Sequence, residues 1–132
     1  MAKFETEKDV KREVKKLLNE FGWYWWMPAA NGFGKSGVSD FCALKDGVFL
    51  GVETKFGSRK PTAQQNLFLR SIAEQSGFGF VVNEKTLGAL RSWLKCFTES
   101  VAYTSRKEVP PERTSVQMLN DLAVLTALID LS

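Results

Sequence analysis

The chain of 132 residues contains no histidine. That absence removes Ser-His-Asp hydrolases, Cys-His proteases, zinc-histidine enzymes and nucleases with a histidine base. Acid-base work must then fall to Asp, Glu, Lys or Tyr. There are two cysteines, Cys42 and Cys96, and no CxxC pair, so a zinc site or a disulfide framework is not expected. Both read as packing residues. No run approaches the roughly 20 apolar residues of a membrane helix, so no membrane partner is expected. The start, MAKFETEKDVKREV, has no apolar signal core, and a cytoplasmic protein is expected. Charge bias is slight, at +3 overall. It is uneven, because residues 51–70 hold Lys55, Arg59, Lys60 and Arg70 against Glu53 alone. Local basicity suits an anionic substrate, although a solvated loop is the commoner reading of such a run.

What is present suits a globular domain with a real core, at 44% hydrophobic residues. Thr6, with Asp9 three residues on, can cap a first helix. Val10, Val14, Leu17 and Phe21 give that helix an apolar stripe, and Gly22 ends it. WYWWMPAA is β-prone until Pro28. Residues 31–37, NGFGKSG, form a glycine-rich loop. Residues 38–45 and 48–56 predict a hairpin across Asp46-Gly47. Thr62 caps a second helix over about 63–74, with Phe68, Leu69 and Ile72 inward. GFGFVVN is a further strand, and Thr86 caps a third helix through Phe97. A linker, SRKEVPPERTS, precedes a last helix over roughly 116–131. That helix carries Met118, Leu119, Leu122, Leu125, Leu128 and Ile129. The order predicts an α/β fold, a mixed sheet flanked by helices. It divides into a domain over 1–98 and, over 99–132, a linker and helix that either cover the domain or pair two copies.

The hairpin raises the functional question. A two-residue turn at Asp46-Gly47 pairs Lys45 with Val48, Leu44 with Phe49, Cys42 with Gly51 and Asp40 with Glu53. Alternation along the strand then places Lys55 on the face of Asp40 and Glu53. Two facing carboxylates repel, and a half-buried pair needs a proton or a cation. A hard divalent cation such as Mg²⁺ would suit them, since such ions prefer oxygen ligands. Lys55 can then orient or deprotonate a water. The bland alternative is a solvated strand face. Glu7, on the apolar stripe of the first helix, and Gln65, on the apolar side of the second, extend the polar set towards a convergent site.

At these residues the sequence resembles the VRR-NUC domain of the PD-(D/E)xK nuclease superfamily. The resemblance runs over about residues 7–83. It rests on Gly37 leading to Asp40, then Glu53-Thr54-Lys55, the basic loop, and Thr62 to Gln65, with Ser39 where proline is common. The resemblance implies a restriction-endonuclease-like core, α-β-β-β-α-β, and the C-terminal helical extension lies beyond the family pattern. It also implies the following roles. Asp40, Glu53 and the Thr54 carbonyl would ligate Mg²⁺ or Mn²⁺, and Lys55 would position or activate the attacking water. Glu7 would support the metal or a second ion, and Gln65 would orient Lys55 or touch the phosphate. The activity implied is endonucleolytic hydrolysis of DNA without an organic cofactor. Small members of this kind are often phage or bacterial, and several act as homodimers on branched DNA such as Holliday junctions.

Lys35, Arg59 and Lys60 are the candidates for DNA-backbone contacts. Trp23, Trp25 and Trp26 could stack on unpaired bases, with core packing the commoner use of such residues. Two other functional classes stay open at this level. One is a non-catalytic DNA-binding or regulatory module that keeps the nuclease fold. The other is a protein-interaction domain built on the apolar last helix.

Overall fold

A computed structural model describes residues 4–29 and 37–105. Lys35, the linker and the last expected helix lie outside the described residues. Helix α1 (Glu7–Glu20) starts where expected, the Asp9 carboxylate accepting the Thr6 N–H at 2.9 Å. Its stripe buries Val10, Val14 and Leu18, with Leu17 and Phe21 partly covered. Strand β1 (Tyr24–Trp26) follows Gly22, whose φ of +75° turns the chain back. Strands β2 (Phe41–Lys45) and β3 (Val48–Thr54) form the hairpin. Asp46 and Gly47 both have positive φ, the geometry of a type I′ turn, and Lys45 pairs with Val48 as the turn demands.

Helix α2 (Ala63–Glu74) connects β3 to strand β4 (Phe78–Val82), and helix α3 (Leu87–Ser105) follows. The sheet order is β1-β2-β3-β4. The first three strands are antiparallel and β4 runs parallel to β3. The described residues therefore form an α/β fold: one mixed four-stranded sheet and three helices. None of these helices is long and apolar enough to cross a membrane.

The end expected for the third helix, at Phe97, is corrected: α3 continues to Ser105. No glycine or proline interrupts residues 98–105, and Thr98 folds its hydroxyl back onto the Leu94 carbonyl at 2.9 Å. The domain limit expected at 98 thus falls inside a continuous helix.

Alternation in β3 separates the two sheet faces. Leu50 and Val52 join Phe41, Phe80, Leu90, Trp93, Leu94, Phe97 and the α1 stripe in one core. Trp93 is its aromatic centre, with Phe78 and Phe80 edge-on and Phe97 stacked at 5.5 Å. On the opposite face, α2 lies almost on the backbone. A Cβ at Gly79 would stand 2.8 Å from the Leu69 carbonyl, and one at Gly51 2.7 Å from Ile72. This close approach fixes how the start of α2 sits over the end of β3, where the candidate site lies. Gly79→Ala is expected to push α2 off the sheet and lower stability by about 1–3 kcal/mol. Urea denaturation midpoints check it.

Candidate active site

Glu53 and Asp40 meet at the end of the hairpin, but Asp40 arrives there differently from the expected strand pairing. The ladder stops at Phe41 opposite Val52, and Asp40 sits in a bend just before β2. Ser39 makes the bend: its hydroxyl donates to the Phe41 carbonyl at 2.8 Å, and its side chain is buried. The Asp40 N–H then donates to Glu53 Oε1 at 3.1 Å. Asp40 Oδ2 accepts from the Thr54 N–H at 3.0 Å and from the Thr54 hydroxyl at 2.6 Å. Thr54 therefore serves the pair through its N–H and hydroxyl, which the sequence did not suggest.

Glu53 is 1% exposed. Its Oε2 has no hydrogen-bond partner among the described residues, and Lys55 Nζ stands 3.6 Å from it. Burial, above all, and then the neighbouring Asp40 charge push the Glu53 carboxyl up to about 8 from an ordinary 4.5. Lys55 opposes the shift without cancelling it. A carboxyl with an orphaned oxygen beside a second carboxylate fits a hard divalent cation, which would relieve both burial and repulsion. Among the described residues no three acidic or cysteine groups converge to hold an ion, so the protein would offer two carboxylates plus backbone or water oxygens.

Glu7 is near this pair but stands apart from it. Lys11, one turn further along α1, lies between them, with Nζ 3.4 Å from Glu7 Oε2 and 3.9 Å from Asp40 Oδ1. Glu7 Oε1 is a second buried oxygen without a hydrogen-bond partner among the described residues. Lys11 escaped the sequence reading because α1 is rich in charge and nothing distinguishes this lysine. Its offset of four from Glu7 was the available signal.

Gln65 has a structural use at the start of α2. Its Oε1 accepts the Thr62 N–H at 2.9 Å, and its own N–H donates to the Thr62 hydroxyl at 3.1 Å. The two residues form a capping box at the start of α2, so this amide oxygen is engaged at the helix end rather than at Lys55. Gly37, with φ +75°, packs against Gln64, where a Cβ would meet backbone at 2.6 Å. That contact ties the loop leading to Asp40 to the start of α2.

Arg59 and Lys60 are exposed in the turn between β3 and α2. Glu84 anchors this turn, both carboxylate oxygens accepting the Gly57 N–H at 3.0 and 3.1 Å. Of the tryptophans, Trp23 is in the core, and Trp25 packs on Phe41 while donating to Asn19. Trp26 is 37% exposed beside Tyr24 and Phe49. Cys42 is buried, which pushes its thiol up, and Cys96 is half-buried.

Compared with known proteins, the chain matches no family model and no curated sequence.

Between pH 4.5 and about 8 the folded chain holds a proton on Glu53 that the unfolded chain has released. Linkage then makes the metal-free protein lose stability as pH rises through that window. Thermal unfolding in chelator from pH 5 to 8.5 should show this fall. Glu53→Gln should flatten it and be the more stable protein at pH 8.

Proposed function

We propose that the chain is a divalent-metal-dependent endonuclease of the VRR-NUC type, with a restriction-endonuclease-like core, that hydrolyses DNA phosphodiester bonds. One observation carries the reading. A buried carboxyl, Glu53, is held against Asp40 with an unpartnered oxygen and a lysine at 3.6 Å. A purely structural core has no physical reason to keep so unfavourable a pair, whereas a catalytic centre does.

Asp40 and Glu53 would hold Mg²⁺ or Mn²⁺, with the Thr54 carbonyl as a further oxygen. When bound, the ion supplies a water of lowered pKa and charge to offset the phosphorane-like transition state. Thr54 fixes the Asp40 carboxylate through two donors, so this ligand is oriented before the ion arrives. Lys55 is nearly buried and rooted at the end of β3, its N–H donating to the Val82 carbonyl. Its ammonium orients the attacking water. Arg59 and Lys60 contact the phosphates on either side. The reaction needs no covalent intermediate and no organic cofactor. Branched DNA, such as a Holliday junction, is the proposed substrate and a homodimer the proposed assembly, since two copies match two symmetric strands.

Purified protein should nick junction DNA with Mg²⁺ or Mn²⁺, and chelator should abolish nicking. Asp40→Asn, Glu53→Gln and Lys55→Ala should each reduce cleavage by at least about 10²-fold while leaving circular dichroism unchanged. Full activity in all three would overturn the mechanism. DNA binding without any cleavage would favour the non-catalytic module.

A further inference from the structure

We infer that Lys11 takes the place of a second metal ion, so that this centre binds a single divalent cation. The inference rests on reading Asp40 and Glu53 as a metal centre and concerns how many ions that centre takes. Two-metal nucleases need a carboxylate set that two ions can share at about 3.5–4 Å from one another. The acidic groups nearest the centre are Asp40, Glu53 and Glu7, which do not converge as a set with Lys11 in place. Between Asp40 and Glu7 stands the Lys11 ammonium, 3.9 Å from the one and 3.4 Å from the other.

This lysine is not a loose surface charge. It lies on α1 beside Val10 and Val14, both fully buried, and its side chain is 28% exposed. Glu7 has Lys11 at one oxygen and the N-terminus of α1 near it, although its Oε1 makes no hydrogen bond among the described residues. The charge inventory agrees. Glu7, Asp40 and Glu53, all ionised, carry three negative charges against two positive from Lys11 and Lys55. One divalent cation leaves the centre at plus one, ready for a phosphodiester. Two would leave it at plus three, with two ammonium groups close to the ions.

The number of Mn²⁺ ions bound per full-length chain, measured by calorimetry and by electron paramagnetic resonance, tests this without reference to cleavage. The wild-type chain should bind one. Lys11→Met, which removes the charge and keeps the aliphatic stem, should bind two, and Lys11→Gln should do the same. Lys11→Met with Glu7→Gln should return to one. Two ions in the wild type, or one in both single Lys11 variants, would overturn the inference and leave the metal centre standing. No ion in the wild type would overturn both.

Discussion

The contact on which the site depends is an unfavourable one. Glu53 is buried at the end of a central strand, beside another carboxyl, with one oxygen unpartnered. An isolated buried charge is among the most costly features a fold can hold. Here the surroundings offset only part of it. Asp40 lends its N–H to one Glu53 oxygen, Lys55 faces the other, and Thr54 occupies Asp40 with two donors. The result is a carboxyl that keeps its proton to about pH 8 when no cation is present. The sheet holds this backbone in place, β3 pairing with β2 up to Val52 and with β4 through Glu53 and Thr54.

The hairpin was legible because one short signal determines it. Asp46-Gly47 can adopt two successive positive φ values, and that turn sets every pair from Lys45–Val48 to Phe41–Val52. The bounds of α2 were legible for a similar reason, since Thr62 and Gln65 cap its start. The same Gln65 also serves the helix start, where its amide oxygen accepts the Thr62 N–H three residues away, a local use that its spacing from the site did not reveal. Asp40 was placed in the right neighbourhood by the register, but the bend at Ser39 took it off the strand. Glu84 left no mark in the sequence because it acts on a partner far along the chain, and Lys11 left only its offset of four from Glu7, with nothing to show its reach to Asp40. Lys35 lies outside the described residues.

Close backbone approach explains why a small sheet can present these groups together. Gly51, Gly77 and Gly79 line the face under α2, and side chains there would collide with Leu69 and Ile72. With the helix seated so low, its first turn comes against Gly37, which begins the path to Asp40. The turn carrying Arg59 and Lys60 then has little freedom, since it must join β3 to a helix whose start is fixed, and Glu84 holds its first residue. Packing on one face of the sheet thus governs where cationic side chains stand relative to the acidic pair.

Charge then constrains what the centre can accept. A phosphodiester is an anion and would be repelled by Asp40 and Glu53 with both ionised. Lys55 offsets one of these charges, and Lys11 is shared between Asp40 and Glu7. The cation that lets Glu53 release its proton would also make the site attractive to phosphate, so deprotonation and substrate binding would be coupled through one ion. With Lys11 already neutralising the Glu7 side, a second ion would add charge where none is needed. An ammonium on a buried-stripe helix, unlike a metal ion, needs no supply from solution, and it leaves the orientation of Asp40 to the two Thr54 donors.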